Sequence, residues 1–206
     1  MTDVKRTYRQ GKRAAKKAET RRRIVEAAVS LHGTVGPART TLSEVAEQAG
    51  VSRPTLYAHF ADEATLFRAC TAHWMSQDPP PDPTTWLAVD DPVERLHIAL
   101  GDLYAHYERN EPMIANVFRD MHLVPSMRDF NRPMVEEAFA TMARVLVDGF
   151  SGDVDDVRRR RQAVVGVAID FGTWRQLVPR AGLSNEEAVD LMVGLVRCVD
   201  RGRSGT

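Results

Sequence analysis

Residues 41–66 read TLSEVAEQAGVSRPTLYAHFADEATL, and the order of cap and turn residues in this stretch decides the fold. Thr41 followed three residues later by Glu44 is a capping box: the hydroxyl accepts the amide at 44 while the carboxylate takes the amide of Thr41. Leu42, Val45, Ala46 and Ala49 then recur at helical spacing, and Gly50 stops the helix in the left-handed conformation that follows a C-cap. Ser52 caps a second short helix, and Pro54 falls in its first turn, where the amides lack partners anyway. Two short helices joined by a Gly-containing turn make a helix-turn-helix. Small Ala46 and Gly50 let the helices approach, and Val51 and Leu56 fill the angle between them. The second helix turns Arg53, Thr55, Tyr57 and His59 to solvent, a set suited to DNA and poorly suited to a core.

Upstream, a helix is expected from near Thr20 to Gly33, with Ile24, Ala27, Ala28 and Leu31 as its buried stripe. Downstream, Asp62 caps a helix that turns Leu66, Phe67, Cys70 and Trp74 inward. Net charge over the 206 residues is zero, yet residues 1–23 hold ten Lys or Arg against Asp3 and Glu19, a charge of +8 that leaves −8 for the remainder. A basic end on an acidic chain fits a nucleic-acid footprint at one pole. Residues 1–16 have almost no apolar content, so this arm is expected to be disordered away from DNA and to lie along phosphates or in the minor groove on it.

The combination Gly50-Val51-Ser52, Thr55-Leu56-Tyr57, His59-Phe60 and Leu66 resembles the DNA-binding signature of TetR-family transcriptional regulators, over about residues 17–77. The resemblance implies an all-α protein of about nine helices: a three-helix DNA-binding domain at 17–77, then a ligand-binding and dimerisation domain at 78–206. It also implies a repressor that binds an inverted-repeat operator as a dimer and is released by a small-molecule effector. The alternative is a ligand-independent dimeric regulator or activator whose second domain only dimerises. One position departs from the pattern. Where the family usually places a phosphate-contacting Lys, this chain has Glu63.

Side-chain chemistry assigns the contacts in the major groove. Arg53 matches the O6 and N7 acceptors of guanine, Thr55 a thymine methyl or base edge, and Pro54 an apolar contact. Tyr57 and His59 suit phosphates, and so do the hydroxyl and amide of Thr41 at a helix N-terminus; Ser52 joins the set as the cap of the reading helix.

Four prolines within Pro79–Pro83 mark a linker. Beyond it, helices are expected from Asp91-Pro92 to about Asn110, from Pro112, from Ser126 to about Gly149, and over about 154–178 and 185–201, with a turn at Ser151–Asp153. The last two, the eighth and ninth helices, are apolar on several faces and must be covered on two sides, which predicts a homodimer built through them. Gly166, Gly172 and Gly194 within them suggest close backbone approach. Trp86, Tyr104, Tyr107, Phe118, Met121, His122, Asp170, Phe171 and Trp174 are the candidate effector pocket, an apolar lining with few polar groups.

No Gly-rich phosphate loop, nucleophile elbow or two-histidine metal spacing occurs, so no enzyme activity, metal or cofactor is expected. No run of eighteen apolar residues or secretory signal is present, and Cys70 and Cys198 have no metal spacing; a cytoplasmic protein with no membrane contact is expected.

Overall fold

A computed structural model describes residues 2–150 and 155–201. The described residues form nine α-helices and no strand: α1 (Thr2–Thr34), α2 (Leu42–Gln48), α3 (Arg53–His59), α4 (Glu63–Gln77), α5 (Pro92–Asp120), α6 (Pro125–Val147), α7 (Asp155–Ile169), α8 (Phe171–Arg175) and α9 (Asn185–Arg201). Two compact units result. The first takes the chain up to Pro79 together with Pro112–Arg132, and the second takes Pro80–Glu111 with the chain from Pro133 onward. Helices α5 and α6 therefore each give one part to each unit, which differs from the single boundary at residue 78 expected from the sequence.

In the first unit α1 lies across α2, α3 and α4. Ile24, Val25, Ala27 and Ala28 of α1 meet Val45, Ala46 and Ala49 of α2, Leu56 and Phe60 around α3, and Leu66 and Cys70 of α4 in one buried cluster. Burial pushes the Cys70 thiol up to about 12, so it is an inert apolar filler there. Phe67 packs in a second cluster with Val124 and Met127.

The N-terminal arm differs from expectation, because α1 begins at Thr2 and not near Thr20. The reason is local. Residues 12–19, KRAAKKAE, are good helix formers, and the Thr20 hydroxyl donates back to the Lys16 carbonyl at 2.9 Å where a cap would bond forward. Arg22 also bridges Glu19 and Glu26, both at 2.7 Å and one turn away on either side.

In the second unit Trp86 donates its Nε1 to Asp102 at 3.0 Å, and buried Arg95 donates to the carbonyls of Val89 at 2.9 Å and Asp148 at 3.0 Å. Asp91 starts α5 by accepting the amides of Val93 and Glu94. Helix α5 runs through Pro112, where the sequence suggested a stop and a new helix. An internal proline costs about 3 kcal/mol; buried Tyr104 and Tyr107 anchor the helix before it, and buried Asn116 and Asp120 after it.

The helix expected over 154–178 breaks at Asp170, whose backbone (φ −70°, ψ 132°) leaves the helical region and whose carboxylate accepts the Thr173 amide at 3.1 Å to start α8. An unbroken helix would satisfy the carbonyls of Ala168 and Ile169 with the amides at 172 and 173. Here Tyr104 Oη donates to the Ala168 carbonyl at 2.8 Å and Tyr107 Oη to the Ile169 carbonyl at 2.6 Å. A π-helical turn over Gln176–Arg180 and Gly182 (φ +77°) then lead to α9, started by the Ser184–Glu187 capping box. The turn expected at Ser151–Asp153 lies outside the described residues.

Candidate nucleic-acid interface

The reading helix α3 is positioned from both ends. Before it, Gly50 takes φ +64° and Val51 donates to the Ala46 carbonyl at 2.9 Å, closing the turn after α2. Ser52 then accepts the Thr55 amide at 3.3 Å, while its hydroxyl and that of Thr55 bond at 2.8 Å. Behind it, Leu56 and Phe60 are both 1% exposed and fix the rotation of the helix. That rotation leaves Arg53, Pro54 and Tyr57 exposed together, with Thr55 and His59 half-buried beside them. Six of the seven expected DNA contacts, Ser52 to His59, thus share one short element.

The seventh, Thr41, caps α2 as expected, but its two donors are already spent. Both its amide and its hydroxyl bond Glu44 Oε2 at 2.8 Å, so a carboxylate occupies the place where a phosphate was expected. These bonds hold the Glu44 carboxyl below the usual carboxylate range. Burial, then the charges of Lys17 and Arg21, push the His59 ring down from its ordinary value, so near neutral pH it offers one N–H and no charge. Its Nδ1 is buried without a hydrogen-bond partner.

Two features escaped sequence reading. The first is Arg23, whose guanidinium donates to the carbonyls of Ala49 and Gly50 and pins the turn between α2 and α3 to α1. The sequence hides it inside a basic run, where charge alone suggests solvent. The second is a buried clamp on the end of α1. Asn116 donates to the carbonyls of His32 at 3.0 Å and Gly33 at 2.9 Å, and Arg119 donates to that of Val35 at 3.2 Å. Asp120, 1% exposed, accepts two bonds from Arg119 at 2.7 and 2.9 Å and one from the Ala38 amide at 3.0 Å. The Arg119 guanidinium beside it holds the Asp120 carboxyl low. Gly36 (φ +98°) is required at this point, since a Cβ there would come within 2.6 Å of Asp120 Oδ2. The clamped segment leads straight into Thr40 and the Thr41 cap, so the clamp sets where the helix-turn-helix begins.

The nine candidate pocket residues are divided between the two units. Phe118, Met121 and His122 fall in the first unit, where Met121 packs on the Phe67 cluster and His122 is exposed in the turn after α5. In the second unit Tyr107, Phe171 and Trp174 pack ring on ring, at centroid distances of 5.2 to 5.9 Å, beside Tyr104. Trp174 Nε1 donates to Asn185 at 2.9 Å, and Trp86 is buried on Asp102. Asp170, expected in the pocket lining, is exposed, and its carboxylate caps α8. No group of acidic, His or Cys side chains among the described residues is arranged to hold a metal ion, and no described helix is long and apolar enough to cross a membrane.

A helix-turn-helix carried by a small α-helical unit, with a further helical unit beyond it, defines a helix-turn-helix transcriptional regulator. Residues 24–70 match the bacterial regulatory proteins of the tetR family. The HTH-type transcriptional regulator TtgW of Pseudomonas putida is 36% identical over 94 residues, 44% of this chain and 67% of that protein. Another, Rv2250c of Mycobacterium tuberculosis, is 27% identical over 177 residues, covering 84% of this chain and 85% of that one. Among solved structures, NalD of Pseudomonas aeruginosa, the secondary repressor of the MexAB-OprM multidrug efflux pump, superimposes with a TM-score of 0.61 at 18% identity, over 90% of this chain and 97% of NalD. The chain belongs to the TetR family and is a transcriptional regulator with a DNA-binding domain.

Proposed function

We propose that this regulator is a repressor that binds an inverted-repeat operator as a homodimer and leaves it when a small-molecule effector binds in the second unit. The observation that carries the reading is the exposure of Arg53, Pro54 and Tyr57 on a helix whose turn, cap and inner face are all fixed. Arg53 reads guanine and Thr55 a thymine methyl, Pro54 packs beside them, and Tyr57, His59 and Ser52 bind phosphates, while Thr41, its donors held by Glu44, fixes the start of α2. NalD, named as a repressor, supports the sign of regulation. The aromatic group Tyr104, Tyr107, Phe171 and Trp174, with Trp86, supplies the apolar wall for the effector.

Homodimerisation rests on α7 and α9. One face of α9 buries Ala188, Val189, Met192, Val193 and Val196, while Leu191 and Leu195 on another stay 45% and 47% exposed. Val167 on α7 is 55% exposed. A Cβ at Gly166 or Gly194 would meet nothing within 4 Å in one chain, so these glycines leave room for a second backbone; Gly172 instead makes space for the Asp170 carboxylate.

Fluorescence anisotropy against the DNA flanking the regulator's own gene, with scrambled DNA of equal length as control, tests the proposal. Binding at least about a thousandfold tighter than to the control, with two chains per site, is expected. Arg53→Ala lowers operator affinity by about 1–3 kcal/mol; an unchanged operator-to-control ratio removes the role given to Arg53.

A further inference from the structure

The basic residues of α1 form a ribbon that the helix-turn-helix reading does not use. Arg13, Lys17 and Arg21 recur every four residues, so they lie along one side of the helix and span about 12 Å of its axis. Every residue from Gln10 to Glu19 is exposed. The acids nearby, Glu19 and Glu26, are held by Arg22, one position round the helix from Arg21. Arg13 and Lys17 have only Arg, Lys, Gln, Ala and Thr within three or four residues, so their own helix offers them no acid. Such spacing destabilises an isolated helix and calls for an anionic partner. Ala14, Ala15 and Ala18 separate the cations, and this side of α1 carries no large apolar residue with which to enter a membrane. The ribbon also ends at the reading helix: the Arg21 guanidinium lies 4.2 Å over the ring of Phe60, the residue that closes α3.

We propose that the Arg13–Lys17–Arg21 face of α1 is a second phosphate-binding surface continuous with the C-terminal end of α3, gripping the DNA backbone beyond the bases that α3 reads. The proposal rests on the DNA-binding reading above. It also accounts for Glu63. The positive charge absent from the start of α4 is supplied by α1, three helices earlier in the chain.

The test compares full-length proteins on a 40-base-pair duplex recovered from a random library by selection on the wild type. The variants are Arg13→Gln/Lys17→Gln and, as a control that removes equal charge from exposed positions of the second unit, Arg144→Gln/Arg180→Gln. Each lost phosphate contact makes the slope of log K against log salt shallower by about 0.9. Two contacts per chain in a dimer therefore reduce the slope by about 3–4 in the α1 variant, and its affinity near 150 mM salt falls roughly tenfold or more. Its preference among duplex sequences stays as in the wild type, and the control keeps the wild-type slope. An unchanged slope in the α1 variant, or an equal change in both variants, overturns the proposal and leaves the operator-binding reading intact. Wild-type protein that binds phosphatidylglycerol vesicles through Arg13 and Lys17, with a DNA slope indifferent to them, assigns the surface to lipid and overturns it too. Failure of the wild type to select any duplex overturns the DNA-binding reading and this proposal together.

Discussion

Asp120→Ala removes the centre of the clamp on α1. The side chain is almost wholly buried and accepts three bonds. Loss of the bond to the Ala38 amide strands a part-buried donor, at about 1–3 kcal/mol. The Arg119 pair contributes less: its guanidinium side is 44% exposed and rehydrates, so about 1 kcal/mol is assigned to it. The expected destabilisation is about 2–4 kcal/mol, equivalent to roughly 4–16 °C in Tm for a chain of this size. Asp120→Asn separates the two contributions, because its amide oxygen still accepts from Ala38 while the charge facing Arg119 is gone; about 1 kcal/mol is expected. Urea denaturation followed by far-UV circular dichroism at pH 7 measures both. A cost for Asp120→Ala within about 0.5 kcal/mol, the range of ordinary surface substitutions, refutes the clamp.

Leu195→Glu places a charge on the exposed face of α9 and raises the dimer dissociation constant about a hundredfold or more, read by sedimentation equilibrium; an undisturbed dimer places the interface elsewhere. Tyr107→Phe leaves the Ile169 carbonyl without its donor and costs about 1–3 kcal/mol in the same urea assay. Burial pushes the His32 ring down to about 4 from 6.5. Between those values the unfolded chain binds more protons than the folded one, so stability falls as pH drops from about 6.5 towards 4, by about 3 kcal/mol in total. His32→Gln flattens that part of the profile, whereas Asp120, whose carboxyl is held low, loses its contribution only below its ordinary value of 3.8; a wild-type profile level from pH 6.5 to 4 contradicts the His32 assignment.

The helix-turn-helix was legible because its signals are local. Thr41, Glu44, Gly50, Ser52 and Asp62 each act on backbone within three residues, and each stands in the structure as its spacing implies. What was not legible depends on distant partners. Pro112 reads as a helix start until the anchors on either side of it are known. Asp170 in an apolar run reads as a pocket-lining acid, because nothing in sequence reveals that two tyrosines more than sixty residues earlier take the carbonyls its cap sets free. Arg23 and Asp120 look like surface charges, and only the fold supplies the carbonyls and the amide that they serve. The division of the candidate pocket residues between two units was hidden for a related reason: helical spacing places aromatic residues on an inward face but does not say which of the two units that face belongs to.

The break at Asp170 ties four positions into one inheritance. Tyr104 and Tyr107 do the work of the amides at 172 and 173, and Asp170 in turn serves the amide at 173. A descendant that heals the helix, with Ala or Leu at 170, returns those amides to the carbonyls and sets both tyrosine hydroxyls in competition with them for the same two acceptors. Phe at 104 and 107 then becomes the better residue, where before the healing it was the worse one. Substitutions at 104, 107, 170 and 173 should therefore travel together through this lineage, and a sequence with the break but without the tyrosines would need a new pair of donors for the same two carbonyls.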